Sequence, residues 1–186
     1  MVVLVASTPM LKDLVKTFDS RVDDSFEVIR GNKVADRIFY TASELGDFGL
    51  LWVIYGLLRG LRGGRTNELV ATRAIVATGV ESFLVNVILK SIFGRGRPVV
   101  QRDHPLPLRQ PLTSSFPSGH ATAAFCGATL LSDADDLAPL YFVSAALVAL
   151  SRIYVRIHHA SDVAAGVAVG LFLGQVGKRL LPLRRR

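Results

Sequence analysis

His158 and Asp162 stand four residues apart. On a helix that is one turn, so the carboxylate can accept the proton of one ring nitrogen and leave the other free to attack. This is a nucleophile with its orienting group. Lys90, Arg97 and Arg152 add three cations, and arginine forks match phosphate oxygens well. Pro117-Ser118-Gly119-His120 opens an apolar run. If that run is a helix, its free N–H groups favour an anion, and Gly119 lets the anion come close to the backbone. His120 then stands beside the anion site as a second imidazole. These parts suit phosphoryl transfer, where positioning and charge neutralisation supply most of the catalysis. The rival arrangement is a metal site built from His120, His158, His159 and Asp162. Three fixed cations would repel a divalent ion and already supply its charge. The chain also has no HExxH and no Cys–His pattern, so neither metal nor cofactor is expected.

The elements that must position these residues are apolar. Five stretches stand out, at Leu45–Leu58, Leu69–Phe93, Gly119–Leu131, Leu137–Val155 and Val163–Leu181. A spanning helix needs about 20 mostly apolar residues, and the second, fourth and fifth stretches reach that range. The first and third are shorter and must borrow flanking residues or be shielded by neighbours. Half of the 186 residues are hydrophobic and the mean hydropathy is +0.38, yet 20% are charged. Apolar segments separated by charged loops read as a polytopic membrane protein. The expected fold is an all-α bundle of about five spanning helices (residues 45–186), preceded by an amphipathic interfacial segment (residues 1–44). That segment interleaves Phe18, Val22, Phe26, Ile29, Val34, Ile38 and Phe39 with charges and is broken near Gly31-Asn32. A helical hairpin packed on the bundle is the other reading of it. Counting crossings puts the Lys90–Arg97, Ser118–His120 and Arg152–Asp162 clusters on one side of the membrane. Ser82, Asn86 and Lys90, spaced by four, form one polar stripe, with Arg73 and Glu81 off it. Asp162, Gly166, Gly170 and Gly174 form another stripe, along which a neighbouring backbone can approach.

Taken together, Lys90-x6-Arg97-Pro98, Pro117-Ser118-Gly119-His120 and Ser151-Arg152-x5-His158-x3-Asp162 resemble the tripartite motif of the type 2 phosphatidic acid phosphatase superfamily. All three parts are present, in order and without substitution. The resemblance implies that His158 attacks phosphorus to form a phosphohistidine, that Asp162 orients it, and that His120 protonates the leaving oxygen and then activates water. It implies that Lys90, Arg97, Ser118, Gly119 and Arg152 hold the phosphate. His159 competes for the nucleophile's role, but only His158 fits both spacings. Arg95, Arg102, Arg109 and Arg156 fall on the site side, as a second phosphate or headgroup contact or as solvated loop charges; His104 reads as a solvated loop residue.

The net charge of +7 would suit nucleic acid, but many arginines end apolar runs, where phosphates or headgroups are nearer partners. The expected partners are a lipid phosphate and the bilayer, with no nucleic acid; oligomeric state is open. By resemblance the substrate is a lipid phosphate or diphosphate, with undecaprenyl or another prenyl diphosphate first and phosphatidate or phosphatidylglycerol phosphate as alternatives. A lipid phosphotransferase would use the same residues. A non-catalytic lipid-phosphate-binding scaffold or transporter would need only the cations. Arg59, Arg62, Arg65, Lys178, Arg179 and Arg184–Arg186 lie opposite the site. The positive-inside rule then places a multi-pass protein in the cell membrane with its site on the extracytoplasmic face.

Overall fold

The computed structural model describes residues 9–99, 105, 106, 108, 109 and 113–183; His104, Arg102 and Arg184–Arg186 lie outside them. Among the described residues the architecture is all-helical. The helices are α1 (Pro9–Glu27), α2 (Lys33–Leu45), α3 (Leu50–Leu61), α4 (Arg65–Ile92), α5 (Gly119–Leu131), α6 (Ala138–Tyr154) and α7 (Ala160–Leu180).

α5 is the hub, packed on α7, α6, α4 and α3, with its side chains buried along most of its length. Its closest neighbour is α7, and the cause is the glycine stripe. A Cβ at Gly166 would sit 2.6 Å from the Ser118 carbonyl oxygen, and one at Gly174 would sit 2.6 Å from Thr129 Cβ. At Gly170 it would strike the Thr122 carbonyl. The stripe therefore serves packing inside the bundle, holding α7 flush against α5.

α4 and α7 are long and apolar enough to cross a membrane, and α6 is a shorter apolar helix. Large apolar side chains also face outward, among them Leu57, Leu61, Val76, Val80, Phe83, Val143 and Phe172. An exterior of that character suits hydrocarbon as solvent.

The stretch read as Leu45–Leu58 is divided. α2 runs through Leu45, a 3₁₀ turn covers Asp47–Gly49, and α3 begins at Leu50. Gly49 at φ 70° and Phe48 at φ 55° make the reversal, which a continuous helix could not. α4 is α-helical to Phe83 and π-helical over Leu84–Leu89 before its last turn at Lys90–Ile92. The π turn lies just ahead of Lys90, which still shares one cavity with Ser82 and Asn86, and such insertions are frequent at functional sites.

In the N-terminal segment Gly31 takes φ 82° and Asn32 caps α2, its side chain accepting from the N–H groups of Val34 and Ala35. α1 rests on α7 and α6, and α2 on α6. Asp19 accepts from the Ser161 N–H and hydroxyl at the start of α7, at 2.8 and 2.9 Å. Arg30 donates to the carbonyls of Tyr154 and Ile153 at the end of α6.

The buried basic groups opposite the site have structural partners. Arg59 donates to the carbonyls of Leu131, Asp133 and Ala134, and Arg73 to Leu130 and Leu181. The Leu130 and Leu131 carbonyls belong to the last turn of α5, where helix carbonyls lack intrahelical partners. Asp135 pairs with Arg62 at 2.7 Å, and Asp133 with Arg73 at 2.7 Å.

Candidate active site

Of the expected catalytic and phosphate-binding residues, Lys90, Gly119, His120 and His158 line one cavity of about 580 Å3. The others stand behind them. α6 ends in Arg152, and the turn after it is closed by the Ile157 and His158 N–H groups donating to the Arg152 carbonyl at 3.2 and 3.1 Å. This ties the arginine to the histidine through backbone. α7 then begins at Ala160, which puts Asp162 in its first turn. α5 begins at Gly119, and the Ser118 N–H donates to the Asp162 carbonyl at 3.0 Å, so the starts of α5 and α7 are locked together.

His158 is 2% exposed. Its Nδ1 lies 3.7 Å from Asp162 Oδ2, and its Nε2 is 3.4 Å from Arg97 Nη1. Arg97 has only donors, so this contact assigns the lone pair to Nε2 and the proton to Nδ1, facing the carboxylate. Burial pushes the His158 ring down to about 3; Asp162 opposes the shift, and the charges of Arg152 and Arg97 add to it. The ring is therefore neutral at physiological pH, with a lone pair free on one nitrogen.

Asp162 is fully buried and heavily engaged. Arg95 Nη1 donates to Oδ1 at 2.6 Å, while Oδ2 accepts from the Ser115 hydroxyl and from the His159 N–H at 2.9 Å. Arg95 also reaches Asp19 at 2.7 Å, so α1 is connected to Asp162 through one side chain. The 3.7 Å separation from His158 is longer than a hydrogen bond, and Ser115 occupies the oxygen that His158 would use.

The cation set has spare donors. Arg152 is 1% exposed and bonds Ser43 through Nη1, while its Nε and Nη2 have no protein partner. Arg97 is fixed by the carbonyls of Ile157 and Thr113, both at 3.0 Å, and its Nε is likewise unpartnered, as is the buried Ser118 hydroxyl. Buried donors are normally paired, so a cluster left open beside a histidine points to an anionic ligand. At Gly119 a Cβ would lie 3.0 Å from Asn86 Oδ1 and 3.5 Å from Lys90 Nζ, within the space of this cradle.

His120 brings a partner that sequence reasoning missed. Its Nε2 is 2.8 Å from Oδ1 of Asp47, in the 3₁₀ turn. The sign available in the sequence was an acid flanked by glycines, Gly46-Asp47-Phe48-Gly49, at the site-side end of an apolar stretch. His159 lines a second cavity of about 540 Å3 with Asp19, Arg95 and His158, on the α1 side. Of the extra arginines, Arg95 is committed to Asp162 and Asp19, and Arg156 to Asp23 and Glu27. Arg109 lies 4.4 Å over the Phe48 ring and lines the main cavity.

Residues 70–186 match the family model described as PAP2 superfamily. The decaprenylphosphoryl-5-phosphoribose phosphatase of Mycobacterium tuberculosis is 34% identical over 140 residues, 72% of this chain and 73% of that protein. The lipid A 1-phosphatase of Porphyromonas gingivalis is 42% identical over 69 residues, 34% of this chain and 16% of that protein. Among solved structures, the transmembrane PAP2 type phosphatidylglycerolphosphate phosphatase from Bacillus subtilis superposes with a TM-score of 0.72 at 24% identity, covering 98% of this chain and 92% of its own. Aquifex aeolicus LpxE superposes with a TM-score of 0.64 at 30% identity, covering 84% and 93%.

Proposed function

The chain belongs to the PAP2 superfamily and is a membrane lipid phosphatase, and from that premise we propose that it cleaves a lipid phosphomonoester or diphosphate without a metal, through a phosphohistidine on His158. In this reading Nε2 of His158 attacks phosphorus, and the bond to the leaving oxygen breaks as His120 protonates that oxygen. His120 then takes a proton from water, which attacks the phosphohistidine and releases inorganic phosphate. Lys90, Arg97, Ser118, Gly119 and Arg152 hold the phosphate oxygens, and Asp162 stabilises the Nδ1–H of the charged ring. For that last contact the 3.7 Å gap must shorten by roughly 1 Å, to hydrogen-bond length, with Ser115 giving way.

One observation carries the reading. The open donors of Arg152, Arg97 and Ser118 are buried with a neutral, oriented imidazole, and together they fit a phosphate about to be attacked. The intact nucleophile, orienter and acid separate a catalyst from a binding scaffold, which would need only the cations. Five spanning helices with residues 1–44 at the interface fit the apolar exterior and the exposed Met10, Leu14, Val28 and Val34 of α1, α2 and the turn between them. The exposed Arg62, Arg65 and Arg179 support a cytoplasmic C-terminal side and a site on the outer face.

The test is phosphate release from lipid phosphates in detergent with EDTA present, comparing undecaprenyl diphosphate, phosphatidate, phosphatidylglycerol phosphate and a polyprenyl-linked phosphoribose phosphate. Turnover should persist in chelator, vanadate should inhibit it, and His158→Ala should abolish it. Loss in EDTA restored by zinc or magnesium would sink the metal-free mechanism.

A further inference from the structure

Glu81 is 2% exposed, and neither carboxylate oxygen has a protein partner. It lines the same cavity as His158, His120 and Lys90, together with Thr78, Ser82 and Asn86. The catalytic scheme has no use for this group, and an acid within a spanning helix is placed there at a cost. Its position says what it meets. Glu81 is nine residues before Lys90 on α4, about 13 Å down the helix at 1.5 Å per residue, toward the middle of the membrane. The phosphate end of the cavity is held by Lys90, Gly119 and His158. The Glu81 end is therefore occupied by whatever joins the substrate's phosphate to its hydrocarbon.

We propose that this end of the cavity is a subsite for a hydroxylated carrier, a sugar or polyol bearing the phosphate, and that Glu81 selects such substrates over phosphates borne directly on a hydrocarbon alcohol. The inference rests on the lipid-phosphatase reading and deepens it. A buried carboxyl group without a protein partner needs hydrogen-bonding groups, and carrier hydroxyls, which both donate and accept, supply them. A prenyl chain there would bury the carboxyl group against methylenes with no partner. Asn86 extends the polar wall, donating to Ser82 at 3.2 Å while its Oδ1 points toward Gly119, so the lining is continuous from Glu81 to the phosphate cradle. Phe48, 82% exposed, also lines the cavity and gives it an apolar edge open to the bilayer.

The experiment measures kcat/KM of the full chain in detergent on three substrates: polyprenyl phosphate, phosphatidylglycerol phosphate and a lipid-linked sugar phosphate. The wild type should prefer one or both hydroxylated carriers to polyprenyl phosphate by at least 10-fold. The two hydroxylated arms identify whether the carrier is glycerol or sugar. Glu81→Leu should collapse that preference by 10-fold or more. Glu81→Gln, which keeps one acceptor and the side-chain shape, should fall between and covers the case in which the leucine variant does not fold. If Glu81 serves only to balance the charge of Lys90, both variants will slow all three substrates alike, and unchanged ratios overturn the proposal. A wild-type preference for polyprenyl phosphate overturns it too. Failure of the parent reading looks different: His158→Ala would then keep phosphate release on every substrate.

Discussion

Gly166→Ala should slow catalysis, whereas Gly174→Ala, two turns along the same stripe, should only loosen the fold. The new Cβ at Gly166 would lie 2.6 Å from the Ser118 carbonyl oxygen, where ordinary contact starts at 3.4 Å, so the starts of α5 and α7 must part by about 0.8 Å. The obstacle is backbone and has no rotamer by which to escape. Ser118 carries part of the phosphate cradle, and its N–H is bonded to the Asp162 carbonyl at 3.0 Å. Separating them moves the anion site relative to His158. A misplacement near 1 Å costs on the order of 100-fold, so kcat should fall roughly 10- to 100-fold. At Gly174 the obstacle is the Thr129 side chain, far from the cradle, and kcat per folded molecule should stay close to wild type. Each overpacking should cost ~1–3 kcal/mol, seen as a few degrees in Tm. The assay is phosphate release in detergent micelles, normalised to the folded fraction from thermal scanning. Equal kcat losses in the two variants, or full activity in Gly166→Ala, would show that the contact of α7 on Ser118 does not set the site's geometry.

Three further outcomes are expected. His159→Ala should keep most of the activity that His158→Ala loses; the reverse result would move the nucleophile by one position. Asp47→Asn should lower kcat about 10- to 100-fold with little change in KM, because it removes the charge that holds His120, and general acid–base catalysis contributes on the order of 10²–10⁴-fold; an unchanged kcat would leave Asp47 with no part in the proton transfer. The imidazole nitrogen shifts of His158 should remain those of a neutral ring at pH 5, since burial holds the group near 3 while an unfolded histidine protonates around 6.5. The unfolded chain then binds the extra proton between those values, so this group makes the fold less stable as pH falls through that window. A His158 titration midpoint near 6.5 would contradict the burial argument.

How far the sequence reached differs from residue to residue. The apolar runs and the spacings Lys90-x6-Arg97, Ser118-Gly119-His120 and His158-x3-Asp162 carried the all-helical class, the family and the grouping of one site at one end of the helices. Those are local properties: periodicity and a helix start survive whatever the tertiary packing does. The break at Gly31-Asn32 was legible for the same reason. The α2–α3 reversal was not, because apolar side chains continue through it and only the φ angles of Phe48 and Gly49 reveal the turn.

Only the tertiary structure decided the partners. Asp47 meets His120 across 73 positions, and Arg95 reaches Asp162 and Asp19 across 67 and 76. No pattern within one helix encodes such pairs. Arg59 and Arg73, which as bare sequence are charges at or within apolar stretches, serve as caps for the carbonyls at the end of α5. Glu81 lay off the polar stripe in the sequence, and only the packing of α4 around the cavity made it part of the lining. His158 itself shows both levels. Its four-residue spacing to Asp162 was written in the sequence, but the helix starts only at Ala160, so His158 stands in the turn before it and not on the same helix. Its neutrality was not written there, because that depends on burial and on the guanidinium groups of Arg152 and Arg97, which the fold brings beside it.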